Sequence, residues 1–135
     1  MKKVMVFGTF DILHPGHIHM LKEASEYGDF LITVLAKDKV VEKIKRHKPL
    51  HNEKTRVSNM KQAGIANKVR LGYINDKYKV IKEEKPDIIA LGYDQKVFVD
   101  KLTDVIEDHV QIVRLAPFKP EIYKSSKMKE GDLII

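Results

Sequence analysis

Gly8-Thr9-Phe10-Asp11-Ile12-Leu13-His14-Pro15-Gly16-His17 follows a short apolar run, Val4 to Phe7, and precedes a segment with helical spacing. That context reads as strand, glycine turn and helix N-terminus. It sets two histidines and a hydroxyl among glycines, where backbone N–H groups and the helix dipole can meet an anion. Such an arrangement suits a polyphosphate and the negative charge that develops on it during transfer.

The strand-to-helix alternation continues outward from this stretch. Pro15 to Tyr27 is expected to be a helix with Ile18, Leu21, Ala24 and Tyr27 on one face and Gly28 ending it. Phe30–Ala36 is a second strand, almost continuously apolar, as a parallel sheet covered on both faces requires. Asp38–Arg46 reads as a short helix, and Lys48-Pro49 ends it. Asn52 is placed to cap a helix from Glu53 to Ala63, closed by Gly64. Val69–Tyr73, Asp87–Leu91 and Val110–Leu115 read as further strands, with helical segments at Lys77–Lys85 and Phe98–Glu107. Strands separated by helices imply right-handed parallel βαβ units. The expected fold is α/β, a single doubly wound Rossmann-like domain over residues 1–135 with a parallel five-stranded sheet and helices on both faces.

In open parallel sheets, ligands sit beyond the carboxyl ends of the strands, near the switch in strand order. Gly8–His17, Lys37-Asp38 and Gly92–Gln95 fall at such ends, and Ser125-Ser126 follows the fifth strand. Gly8 and Thr9 lie where the chain turns sharply and a bulky side chain would obstruct a ligand. Pro15 suits the first helical position, so His14 stands just before the helix and His17 in its first turn. Both imidazoles can then hydrogen-bond one phosphoryl group. A bare HxxH is more often incidental, and as a zinc site it lacks a nearby carboxylate or thiolate. His19, off the motif, reads as a solvated helical residue, and Asp11 as a stabiliser of the turn.

Composition narrows the classes. The chain's 135 residues are 43% hydrophobic, which fits one globular domain with a sizeable core. No apolar run approaches the roughly 20 residues that span a bilayer, and the apolar N-terminal run is broken at Gly8. No membrane partner is expected. Zero cysteines exclude disulfides and thiolate metal sites and fit a cytoplasmic protein. The charge balance, 25 − 19 = +6, favours anionic partners. Clustered Lys/Arg with interleaved aromatics would mark a nucleic-acid face. Here the five tyrosines and five phenylalanines are scattered, so no nucleic acid is expected.

Gly8-Thr9-Phe10-Asp11 followed by His14-Pro15-Gly16-His17 resembles the signature of the HxGH nucleotidyltransferase superfamily, and the chain is similar to its small cytidylyltransferase-like branch. The similarity extends to Lys43-Ile44-Lys45-Arg46-His47-Lys48-Pro49, to Arg56, to Pro86–Gln95 and to Ser125-Ser126-Lys127. The resemblance implies in-line attack by a phosphomonoester on the α-phosphorus of a nucleoside triphosphate, with pyrophosphate leaving. His14, His17 and Lys45 would be catalytic. Gly8, Thr9, Phe10, His14 and His17 would contact the nucleotide, with Gly92, Asp94 and Gln95 lining the nucleoside pocket and Ser125 and Ser126 the β/γ-phosphates. Lys45, Lys48 and Arg56 would bind the acceptor, although Arg56 also stands where an ion pair with Glu53 could form on the helix surface. Arg114 is a secondary candidate. A divalent cation, Mg²⁺ in the first place, would accompany the triphosphate, with no dedicated metal-ligand residue, and a homodimer is an expectation by resemblance.

Two substrate pairs stay open. The Leu91-Gly92-Tyr93-Asp94-Gln95 run and the lysine spacing resemble archaeal FAD synthases, which join FMN to the AMP of ATP. The glycerol-phosphate cytidylyltransferases typically carry Arg-Thr-Glu-Gly-Ile-Ser-Thr-Thr near their end. This chain has Lys119-Pro120-Glu121-Ile122-Tyr123-Lys124-Ser125-Ser126 instead. FMN adenylyl transfer therefore ranks first, and CTP-dependent transfer to glycerol 3-phosphate or a similar phosphoalcohol second. A non-catalytic nucleotide- or nucleic-acid-binding domain is the remote alternative.

Overall fold

The computed structural model describes residues 1–92, 102 and 106–115. Their elements run β1 (Lys3–Gly8), α1 (Pro15–Ser25), β2 (Phe30–Leu35), α2 (Asp38–Lys45), α3 (Glu53–Ala63), β3 (Lys68–Leu71), α4 (Lys79–Glu84), β4 (Ile88–Leu91) and β5 (Gln111–Arg114). The five strands form one parallel sheet in the order β3-β2-β1-β4-β5. The order reverses at β1, which pairs with β2 along its whole length and with β4 through Val4 and Met5. This is the doubly wound arrangement expected of the alternating pattern, and its switch point lies between β1 and β4.

The apolar strands feed two cores in strict alternation. Val4 and Val6 of β1, Leu31 and Leu35 of β2, and Ile88 and Ala90 of β4 face one side, against Met20, Leu21 and Ala24 of α1 and Met60 of α3. Met5, Phe7, Ile32, Val34, Ile89 and Leu91 face the other, against Val80 and Ile81 of α4 and Leu102. A strand buried on both faces is apolar at nearly every step, which is why Phe30–Leu35 carries a single polar residue, the buried Thr33. Each fully buried side chain of this size contributes about 1.5–3 kcal/mol.

Local signals set the helix ends with uneven accuracy. Asn52 caps α3 by accepting the Thr55 N–H at 2.8 Å, and Gly64 closes it in the left-handed region, both as expected. The α1 face is rotated from expectation. Its buried stripe is His17, Met20, Leu21 and Ala24, while Ile18 is half-buried and Tyr27 is exposed. The motif histidine takes the first inward position, and the stripe follows from it. The helix stops at Ser25, and Gly28 serves close approach: a Cβ there would meet the Lys2 carbonyl oxygen at 2.6 Å. The helix expected at Phe98–Glu107 lies largely outside the described residues.

A buried carboxylate pins α4 to the edge strand β3. Glu84 accepts from Lys68 Nζ at 2.8 Å and from Arg70 NH1 at 2.7 Å. Burial pushes its carboxyl up, but the Lys68 and Arg70 hydrogen bonds outweigh that and hold it below the usual glutamate value. Such a group stabilises the fold above its unfolded pKa, near 4.3, and loses that contribution as pH falls through its lower folded value. Glu84→Gln should therefore cost about 1–2 kcal/mol at pH 7, because Lys68 is partly solvated. In urea unfolding the gap between wild type and variant should close near pH 2. A gap that is constant with pH would rule the ion cluster out.

Candidate active site

At the carboxyl end of β1 the chain turns back on itself. Phe10 has a φ of 50°, and its side chain folds over Gly8, where an added Cβ would lie 2.6 Å from the ring. Gly8 is thus required by Phe10, a correction to the expectation that it clears a path for ligand. Thr9 is fully buried, and its carbonyl accepts from Arg56 at 3.0 Å. The Phe10 ring meets the His17 ring edge to face at 5.2 Å, and His17 stacks on His14 at 3.7 Å with 25° between the planes. The three rings form a continuous stack from the core to the mouth of the β1–α1 turn.

His14 is the N-cap of α1, and its Nδ1 accepts the Gly16 N–H at 3.1 Å and the His17 N–H at 3.3 Å. The Ile18 N–H bonds the His14 carbonyl, and Pro15 has no N–H. The first-turn amides expected to meet an anion are therefore already engaged. Because Nδ1 accepts two hydrogen bonds, a neutral His14 carries its proton on Nε2. The cap thereby fixes the tautomer of the neutral ring. Pro15 at the first helical position sets the backbone for this cap.

Behind the rings lies a lock between strand ends. Asp11, buried, accepts the Leu50 N–H at 2.6 Å on Oδ2 and the His51 N–H at 2.7 Å on Oδ1. It stabilises the turn, as expected, by holding the loop that leads into α3. Arg56 is neither a surface ion-pair partner of Glu53 nor an exposed acceptor contact. It is fully buried, and its Nε, NH1 and NH2 donate to His51 O, Thr9 O and Asp38 Oδ1 at 3.0, 3.0 and 2.8 Å. Helical phase turns it inward, where carbonyl oxygens from two loops converge. Arg56 is therefore a positioning residue. Glu53 instead accepts the Asp38 N–H at 2.8 Å. The roles of Asp38 and Glu53 were missed, since nothing local in a sequence marks partners 15 residues apart.

The other expected residues divide by location. Lys45 sits half-buried in the last turn of α2, and Lys48 is exposed on the loop beyond it. Lys48 lines an open cleft with Asp38, Glu42, Pro49, Leu50 and Asn52. Gly92 is buried at the end of β4, and its carbonyl accepts from Arg114 NH1 at 2.9 Å. His19 is exposed beside Glu23, a solvated helical residue as expected. Asp94, Gln95, Ser125 and Ser126 lie outside the described residues.

Comparison with known proteins adds a consistent picture. The profile of the cytidylyltransferase-like family matches residues 5–131. A protein named FAD synthase from Aciduliprofundum boonei is 40% identical over 87% of this chain and 80% of its own length. Another of that name from Archaeoglobus profundus is 42% identical over 85% of this chain and 75% of its own. A Thermoplasma volcanium crystal structure, described as a lipopolysaccharide core biosynthesis protein, superposes with a TM-score of 0.81. It is 38% identical and covers 88% of this chain and 99% of its own.

The lock makes a stability prediction. Arg56→Lys keeps the charge but cannot reach three diverging oxygens, so it should cost about 3 kcal/mol in chemical denaturation. A variant as stable as wild type would show that the strand ends are held by something else.

Proposed function

The chain belongs to the cytidylyltransferase-like family, and on that premise we propose that it is a nucleotidyltransferase that joins the AMP of ATP to FMN, giving FAD and pyrophosphate. The observation that carries the transfer reaction is the stacked His14–His17 pair, capped onto α1 at the end of the central strand. FMN as acceptor follows from the relatives, several of which are named FAD synthase at 34–42% identity.

A phosphate oxygen of FMN attacks the α-phosphorus of ATP in line. The bond from the α-phosphorus to the oxygen bridging to the β-phosphate breaks, and pyrophosphate carries away the electron pair. The attacking oxygen is already ionised, so no general base is needed. Catalysis then rests on positioning and charge stabilisation. His14 donates through Nε2–H, and His17, one turn deeper, lies nearest the α-phosphate. Lys45 and Lys48 balance the charge of the acceptor phosphate and of the pentacoordinate phosphorus. Gly92, with Asp94 and Gln95, lines the nucleoside side, and Ser125 and Ser126 take the β/γ-phosphates.

Mg²⁺ accompanies the triphosphate in this reading. Among the described residues no group of three or more His, Asp or Glu could hold an ion, so its ligands would be phosphate oxygens and water. When bound, it neutralises charge on the polyphosphate. Asp11, within the motif, is committed to Leu50 and His51, and Asp38, after β2, to Arg56.

The test is product formation from ATP, FMN and Mg²⁺, with pyrophosphate and FAD quantified. Wild type should form both in equal amounts, and chelation with EDTA should abolish the reaction. His17→Ala should lower kcat by about 10²–10³, the usual effect of removing one transition-state donor. Equal rates in variant and wild type would remove the catalytic role. Product from CTP and glycerol 3-phosphate, with none from ATP and FMN, would replace the proposed substrates.

A further inference from the structure

On the opposite side of β1 from the switch point, the carboxyl ends of β1, β2 and β3 open into a solvent-accessible apolar cleft. Its walls include Gly8, Ala36, Val40, Ile44, Gly72 and Tyr73. The parallel ladder runs one step past the strands: the Ala36 N–H bonds Gly8 O at 3.1 Å, and the Gly72 N–H bonds Leu35 O at 3.0 Å. At three adjacent strand ends the exit residue is therefore small: Gly8, Ala36 and Gly72 line the cleft, while the Phe10 ring covers Gly8 from the opposite face of the sheet. Strands lie about 4.8 Å apart, so this floor is roughly 10 Å across.

We infer that this cleft is the subsite for the isoalloxazine ring of FMN, held between α2 and Tyr73 with its ribityl phosphate directed past Gly8 to His14 and His17. The inference rests on the proposed FMN adenylyl transfer and extends it to residues outside the family motif.

Gly72 is the first support. It is not in the left-handed region, and a Cβ there would meet nothing closer than Val34 Cγ1 at 3.4 Å. Neither backbone strain nor crowding requires glycine, but an open floor does. Tyr73 is the second. Its hydroxyl donates to Glu83 at 2.7 Å and accepts from Arg70 at 3.2 Å, while Lys79 stands 4.7 Å from its ring centroid. The Arg70 guanidinium also lies over the ring at 5.5 Å, and a wall oriented in advance loses little entropy when a flat ligand packs against it. Ile44 is the third, an apolar side chain 42% exposed at the wall of the cleft.

Chemistry selects the occupant. Isoalloxazine joins an apolar dimethylbenzene end to a pyrimidine end with electron-rich carbonyls. The cleft is apolar except for Lys77, its one charged wall residue among those described. A phosphoalcohol has no apolar body to bury there. Adenine belongs on the other side of β1, beside Gly92, where the strand order reverses. Gly8 is common to both halves, ending β1 at the motif and walling the cleft.

Two variants test the assignment by steady-state kinetics and by quenching of FMN fluorescence on binding. Ala36→Leu fills the floor, and Ile44→Glu places a charge at the wall on an exposed position that the fold tolerates. Both should raise the KM for FMN about tenfold or more, leave the KM for ATP within about twofold, and weaken FMN quenching in parallel. If wild type makes FAD and both folded variants keep its KM for FMN, the ring binds elsewhere and the inference falls while the proposed function stands. If wild type neither binds FMN nor makes FAD, the proposed function fails and takes this subsite with it.

Discussion

The buried Arg56 guanidinium constrains everything at the carboxyl edge of the sheet. A positive charge without access to water is tolerated only when protein oxygens replace its hydration. Here those oxygens come from Thr9 after β1, His51 before α3 and Asp38 at the start of α2. Asp11 completes the lock by binding the Leu50 and His51 amides. Three stretches distant in sequence are thereby held together, and the histidine pair is built on the first of them.

That rigidity explains how a short loop can do precise chemistry. The β1–α1 turn has no covalent brace, since the chain lacks cysteine. Its order comes from the ring stack of Phe10, His17 and His14 and from the cap that His14 places on α1. The same cap uses the first-turn amides, so in the proposed function the helix end would act through its imidazoles. In the proposed reaction a phosphate arriving there would meet a His14 ring whose tautomer and orientation are set beforehand, which is the condition for stabilising charge without reorganisation.

Much of this was legible in the residues. Alternating apolar runs and caps are local features, so β2, the Asn52 cap and the Gly64 terminator could be read directly. The HPGH motif announced both strand end and helix start. What depends on contacts between distant segments was not legible. Arg56 looked like a surface or ligand residue because its three acceptors lie 5, 18 and 47 positions away. Gly8 looked like a ligand clearance until Phe10 was seen folded over it. The α1 stripe shifted because periodicity counted Ile18 and Tyr27 as apolar but could not count His17 as buried. The open floor at Gly8, Ala36 and Gly72 needs the strand order, which no single segment encodes.

One chemical claim stands above the others: the FMN phosphate itself supplies the oxygen that attacks the phosphorus of the transferred AMP. FMN labelled with ¹⁸O in its phosphate, incubated with ATP, Mg²⁺ and the protein, tests this through mass spectrometry of both products. The prediction is FAD that retains all of the label and pyrophosphate that carries none. Label in pyrophosphate, or loss of label from the FAD formed, would contradict it.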